Sequence, residues 1–334
     1  MRAVRLWGAG DLRVEEIDAP GLPEADAVLV RVEAAGICGS DLHNWRTGQW
    51  ISRAPSTPGH EVAGEIMAVG VDVRGFAPGD RVVIDSRVWC GSCLYCLAGQ
   101  PNLCDSLGYV GEVCDGGFAE ALSVPARLVA PVGKAIDPVV AAAAEPLAVA
   151  LHVLHRLGSL PGEPVLVAGC GPIGGLVALL AARGGATVLV ADHNVARRER
   201  VMRVIGARHV ELEAASIERA LEGKRLRHAV EATGSVTALG ALVGAVPKGA
   251  TIAVVGIPGG RLELDVIGMV EREISLVGCS VFADELPEAI ASLADLQGDI
   301  LALLEGVVTL DGVPDAYRRL AAGDITGLKV VVKP

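Results

Sequence analysis

Aromatic side chains are scarce in this chain of 334 residues, at 3% of the total. With so few available, a tryptophan close to a chemically active group stands out. Positive charge is also in deficit. The chain has 29 Lys and Arg against 40 Asp and Glu, a formal net charge of -11. A generic phosphate-backbone binder should be basic, so nucleic acid is disfavoured as a partner. An anionic membrane surface is disfavoured for the same reason. Long uninterrupted apolar runs are missing too. The most apolar stretch, VVAAAAEPLAVALHVL, is interrupted by Glu145-Pro146, and IGGLVALLAA is too short to span a bilayer. The stretch MRAVRLWGAGDLRVEE has no apolar core of the kind a secretory signal carries. These absences lead us to expect a soluble, cytoplasmic protein without a membrane partner.

What is present fits a globular chain long enough for two domains: 51% hydrophobic, 21% charged and rich in glycine, with 42. Of its eight cysteines, four fall at Cys90, Cys93, Cys96 and Cys104. Stable disulfides are unexpected in a cytoplasmic protein. The spacing C-x2-C-x2-C-x7-C lets four thiolates converge on one ion, and glycine and proline in the segment suit a loop that wraps it. A closed shell of four thiolates leaves no open position, so a zinc held there is structural. Reduced thiols, two disulfides and an iron–sulfur cluster are the competing readings.

The first third of the chain reads as short strands, at 27–37, 62–70 and 79–85, densely punctuated by glycine and proline. The texture changes near residue 138, where residues 137–158 read as one long apolar helix. Strands then alternate with helices, at 164–169, 186–192, 226–234, 249–259 and 273–280, which implies βαβ units and a parallel sheet. From about 282 the pattern is helix, strand, helix, strand.

The turn after the first of these strands is Gly169-Cys170-Gly171-Pro172-Ile173-Gly174, a G-x-G-x-x-G that leaves a buried strand and opens a helix. Gly169 makes the turn, Gly171 admits a pyrophosphate close to the backbone, and Gly174 lets helix and strand pack. The helix N-terminus offers free N–H groups to phosphates. Asp192 ends the next strand, where a carboxylate can accept from an adenosine ribose and repels a 2′-phosphate. NAD is therefore expected over NADP. Arg197 and Arg198, at the start of the following helix, are the residues that could instead reach a phosphate. Thr233-Gly234 and Gly256 end further strands at the ligand side of such a sheet, and cofactor contacts are expected there.

Two more segments carry possible metal ligands. GICGSDLHNWRTG holds Cys38, Ser40, Asp41 and His43, and TPGHEVAGEIMAVG holds His60 and Glu61. Cys, His and Glu form a possible ligand set for an open catalytic zinc. Together with GDRV, the four-cysteine loop, EPLAVALH and the glycine turn, these segments resemble the zinc-dependent medium-chain alcohol dehydrogenases. The likeness is greatest to the polyol (sorbitol-type) and threonine dehydrogenase branch and covers nearly the whole chain.

The resemblance implies an α/β protein with a GroES-like β-rich catalytic domain, residues 1–145 and 282–334, carrying the structural-zinc loop 90–104. A Rossmann domain with a doubly wound parallel sheet, residues 146–281, binds NAD. It implies two zinc ions per chain. Cys38, His60 and Glu61 would ligate the catalytic one, with Glu145 binding it directly or holding its water. The reaction implied is hydride transfer between a secondary alcohol and NAD, with Ser40 and His43 relaying the proton. The competing role for Ser40 is to cap a helix beginning at Asp41. Dimers or tetramers are implied as well.

Trp45, Trp50 and Phe282 are candidate walls of the substrate pocket. Polyol members often carry an arginine where this chain reads Val281-Phe282-Ala283, which puts sorbitol itself in doubt. Another polyol, a cyclitol, threonine and a simple secondary alcohol stay open. A non-catalytic zinc protein on the same fold is the reading from a different class.

Overall fold

The computed structural model describes residues 1–158, 161–257 and 259–334. By backbone contacts the chain divides into two units. One comprises Met1–Glu145, Leu286–Ile325 and Lys329–Pro334, and the other Pro146–Glu285 and Thr326–Leu328.

The first unit is built on alternation. Along the strand Ala27–Gly36, Val28, Val30 and Val32 are buried while Arg31 faces outward and pairs with Glu65 of the neighbouring strand at 3.0 Å. The sheet order is Gly306–Val308, Val330–Val332, Ala27–Gly36, Glu61–Val69, Arg81–Ile84, Val129–Pro131, with Ala121–Pro125 also paired to Ala27–Gly36. The first pair is parallel and the others are antiparallel. Val30, Ile66, Phe118 and Tyr317 share its core, so residues from both ends of the sequence complete one interior.

The second unit holds a fully parallel six-stranded sheet ordered Arg208–His209, Val188–Ala191, Val165–Ala168, His228–Glu231, Thr251–Val254, Ser275–Gly278. All four residues of Val165–Ala168 and of Val188–Ala191 are buried, as expected for strands covered on both faces. Strand order reverses at Val165–Ala168, the strand that feeds the glycine turn. In an open α/β sheet that reversal is where ligands bind.

Two expectations need correction. Residues 137–158 form two helices, Pro138–Ala141 and Ala144–Leu157, rather than one. Pro146 explains the break. It has no N–H to give the carbonyl of Ala142, and its ring crowds that carbonyl, so it fits only the first turn of a new helix. By length and hydropathy Pro138–Leu157 could cross a membrane, but 78% of it is buried within the protein, as in a core helix.

The second crossing between units falls at Glu285, not at 282. The Glu285 carboxylate accepts from the Ala283 N–H at 2.6 Å and lies 2.8 Å from Nδ1 of His152, on the helix that enters the second unit. Entry and exit of that unit are thus held together. Burial raises the Glu285 pKa, but the bonds from His152 and Ala283 outweigh it and leave the carboxyl below its ordinary value. Its stabilisation is therefore complete above the ordinary glutamate range and lost as pH falls through the lower folded value. Glu285→Ala should cost about 2–4 kcal/mol by leaving buried donors unpaired. Thermal denaturation between about pH 3 and pH 6 should show the loss as a smaller slope on the acid side; an unchanged slope would refute the assignment.

Candidate active site

Strand register assembles the first cluster. Gly36, the last residue of Ala27–Gly36, pairs with Glu61, the first of Glu61–Val69. Cys38, just beyond one strand, therefore meets His60 and Glu61 at the start of the other. Their ligand atoms all lie within 4.8 Å of one another. Tetrahedral zinc asks for separations of roughly 3–4 Å, so this Cys–His–Glu set fits with small side-chain adjustments.

Helix Gly39–Thr47 follows at once, with Cys38 as its N-cap. The Cys38 N–H donates to Asp41 Oδ2 at 2.8 Å. Asp41 Oδ1 stands 3.6 Å from His60 Nδ1. A carboxylate behind a histidine in this way fixes the ring for ligation through its other nitrogen. Burial opposes protonation of His60, yet Asp41 and Cys38 outweigh it and hold its pKa well above the ordinary value. Because the helix begins at Gly39, Ser40 lies inside the first turn and is not its cap. His43, one turn on, stacks on Trp50 with centroids 4.5 Å apart and places Nε2 2.8 Å from Gln49 Oε1.

Glu61 has a second partner. Its Oε1 accepts from Lys329 Nζ at 2.5 Å, and Lys329 also donates to the Ile37 carbonyl at 3.1 Å. Glu145 sits beside this cluster, buried, with Oε1 accepting from Ser86 Oγ at 2.7 Å. Burial, helped by the charge of Glu61, pushes the Glu145 pKa up to about 7, against His60, Ser86 and Lys329.

The four-cysteine loop brings Cys90, Cys93, Cys96 and Cys104 within the same 4.8 Å limit, all as free thiols. Backbone N–H groups of Ser92 and Cys93 point at Cys90 Sγ, 3.5 and 3.4 Å away, and bring its pKa down to about 6. Burial pushes Cys96 up to about 12. A cluster in which one thiolate forms readily and another resists ionisation is the situation a bound dication relieves.

In the second unit the glycine turn has the form its spacing predicted. Gly169 has φ of 100°, which favours glycine, and a Cβ on Gly174 would lie 1.8 Å from the Gly169 carbonyl oxygen. Gly171 opens onto free space, where the nearest atom to an added Cβ is Arg197 Nη1 at 4.0 Å. Helix Pro172–Arg183 starts there with Pro172 and Ile173 in its first turn. The turn and helix start fit a dinucleotide pyrophosphate. Asp192 accepts from the Cys170 N–H at 2.6 Å and the Asn194 N–H at 2.7 Å, so it ties the turn to the end of the next strand. Arg198 donates to the Asp192 carbonyl at 2.8 Å.

Glu231, which sequence reasoning missed, is fully buried and accepts from the N–H groups of Thr233 at 2.7 Å and Gly234 at 3.0 Å. A Cβ on Gly256 would sit 2.5 Å from its other oxygen, so the strand ends bearing Thr233 and Gly256 meet around this acid. The signal was an acid closing an apolar strand, HAVE.

Two pocket candidates belong elsewhere. Phe282 belongs to the second unit and its side chain is fully buried. Trp45 packs against the core of the first unit, edge-on to buried Tyr317 at 5.8 Å. Trp50, beside His43, keeps a position that can line a site.

A β-unit with a Cys–His–Glu cluster, joined in one chain to a parallel sheet with a dinucleotide turn, defines a metal-dependent dehydrogenase. Residues 24–134 match the alcohol dehydrogenase GroES-like domain and residues 172–295 the zinc-binding dehydrogenase domain. L-galactonate-5-dehydrogenase of Escherichia coli (strain K12) is 34% identical over 300 residues, 89% of this chain and 84% of the relative. Sorbitol dehydrogenase of Bacillus subtilis (strain 168) is 32% identical over 346 residues, 100% and 97% of the two chains. A zinc-binding dehydrogenase of Sinorhizobium meliloti 1021, solved with NADP bound, superposes with a TM-score of 0.91 at 32% identity, covering 100% of this chain and 99% of its own. The chain belongs to the zinc-dependent medium-chain alcohol dehydrogenases, in their polyol branch, and is an oxidoreductase of CH–OH groups.

Proposed function

We propose that the protein oxidises a secondary alcohol of a polyol or related sugar alcohol, with NAD as partner. The observation that carries this is the register-built cluster of Cys38, His60 and Glu61 with Asp41 behind the histidine. Those three residues would hold the catalytic zinc, with Glu145 buried beside the cluster, and Cys90, Cys93, Cys96 and Cys104 would hold a structural one. When bound, zinc supplies Lewis acidity to the alcohol oxygen and NAD supplies the hydride acceptor. The chain's own part is positioning and proton transfer. Ser40 and His43 lie three residues apart on one helix, hence on neighbouring positions of one face. The Ser40 hydroxyl both accepts and donates, passing the substrate proton on, and His43 hands it to solvent. Gln49 and Trp50 hold the His43 ring. His43→Ala should lower kcat about tenfold below neutral pH and less at high pH, where hydroxide substitutes. A pH–rate profile of unchanged shape would remove His43 from the relay.

Asp192 supports NAD, since its carboxylate occupies the end of the strand where a 2′-phosphate would have to go. The second reading is NADP, favoured by Arg197 lying over Gly171. Self-association of the chain, as a dimer or tetramer, is part of the same reading. The strand Ser275–Gly278 ends its sheet, and the helix beside it exposes Val266, Ile267 and Val270 at 64%, 73% and 71%. Eight free thiols suit the reducing cytoplasm.

The test is formation of reduced nicotinamide by zinc-loaded protein with polyols, cyclitols, threonine and simple secondary alcohols. Each is offered with NAD+ and NADP+, and zinc per chain is measured alongside. Turnover of polyols with NAD+ at two zinc ions per chain supports the reading. One zinc ion and no turnover with any alcohol would indicate a non-catalytic zinc protein.

A further inference from the structure

We propose that Glu112 is a substrate-facing carboxylate that makes this enzyme select neutral hydroxylated substrates over carboxylated or phosphorylated ones. The inference rests on the polyol dehydrogenase reading and narrows its substrate class. The relatives leave the matter open: one named for galactonate and one named for sorbitol match almost equally well.

Residues 116–118 run along the segment that delivers His60: Gly116 N–H donates to the Thr57 carbonyl at 2.7 Å, Gly117 to Gly59 at 2.7 Å and Phe118 to Pro58 at 3.0 Å. The turn just before them presses on the same segment, since a Cβ on Gly111 would lie 3.0 Å from the Gly59 nitrogen. Glu112 sits in this turn. Its carbonyl accepts from Ser52 Oγ at 3.0 Å, which fastens the turn to the loop holding Trp50. The carboxylate feels the charges of His60 and Asp41, and burial pushes its pKa up to about 7.

Every other acid of this site is engaged: Asp41 with Cys38 and His60, Glu61 with Lys329, Glu145 with Ser86. Among the described residues the Glu112 carboxylate has no hydrogen-bond or ion-pair partner, although it is half-buried. A carboxylate kept partly dehydrated without a partner accepts well from ligand hydroxyls and repels a ligand anion. His60 offsets part of that repulsion, but the arginines and the lysine of the adjoining segments are already paired. Arg5 and Arg53 pair with Asp115, Arg87 with Asp85, and Lys329 with Glu61.

The experiment compares kcat/KM at about pH 8.5, where Glu112 is ionised, for sorbitol and altritol with that for galactonate, gluconate and a hexitol phosphate, using zinc-loaded wild type and Glu112→Gln. Zinc content and NADH binding are measured on the same preparations. Wild type should favour the neutral substrates, and Glu112→Gln should lower the neutral-to-anionic ratio about tenfold. Glu24→Gln, which removes the same charge from an exposed position, should leave the ratio unchanged. A wild-type preference for anions, or an unchanged ratio in Glu112→Gln, overturns the proposal. If wild type oxidises none of these compounds, the polyol reading fails on its own. Charge selection is then read from ligand-induced thermal shifts with sorbitol and gluconate, and equal discrimination by the two proteins overturns it.

Discussion

His60→Ala should lower kcat by about four orders of magnitude while NADH still binds. The size follows from what the residue connects. His60 is buried, it shares a 4.8 Å cluster with Cys38 and Glu61, and Asp41 fixes its ring from behind. Its loss removes a nitrogen ligand and leaves Asp41 with only the Cys38 N–H. Glu61 cannot compensate, because it is already one of the three candidate ligands. The zinc content should drop by one ion per chain, with the cysteine-loop ion retained. NADH fluorescence titration separates this loss from a folding defect, since the dinucleotide turn lies in the other unit. Retained zinc with near-normal turnover would show that the cluster is not the catalytic centre.

Asp192→Ala should cut kcat/KM with NAD+ about a hundredfold and shift the NADP+ to NAD+ ratio upward about a thousandfold. Two effects combine. In the proposed NAD complex the carboxylate would accept from ribose hydroxyls, and each charged hydrogen bond contributes about 1.5–3 kcal/mol. It also repels a 2′-phosphate, a term that vanishes with the charge. The same substitution frees the N–H groups of Cys170 and Asn194, so the turn loosens as well. Asp192→Asn separates these contributions, because it keeps an acceptor for one of those groups and discards the charge. Steady-state kinetics with both cofactors decide the matter. A wild type that already prefers NADP+ would transfer the determining role to Arg197.

What could be read in the sequence was local. The cysteine spacing, the glycine turn with Asp192, and the strand–helix alternation each depend on neighbours along the chain, and the structure places them accordingly. What could not be read depended on distant partners. Lys329 meets Glu61 across 268 residues, and no pattern near either one announces it. Glu112 gains its meaning from a turn packed on the His60 segment, and Glu285 from His152. Trp45 and Phe282 show the opposite failure. Both are aromatic and close in sequence to chemically suggestive residues, yet packing claims them. The helix break at 142–143 was legible in principle, since Pro146 stands in the sequence, but the apolar run around it masked the proline's effect.

The division of the first unit across the sequence has a consequence for how the protein is made. Its sheet needs the strand Val330–Val332 against Ala27–Gly36, and Glu61 of its Cys–His–Glu cluster pairs with Lys329, so a ribosome must synthesise the whole second unit before either contact can form. The second unit is nearly continuous in sequence and can fold while synthesis continues. Once Glu285 reaches His152, the two ends of that unit are side by side, and the cost of closing a long loop no longer falls on the first unit. A nascent chain whose residues up to 285 have just left the ribosome would thus display an almost complete dinucleotide-binding sheet. Its partner would still have an unpaired strand edge and a Glu61 with no lysine beside it.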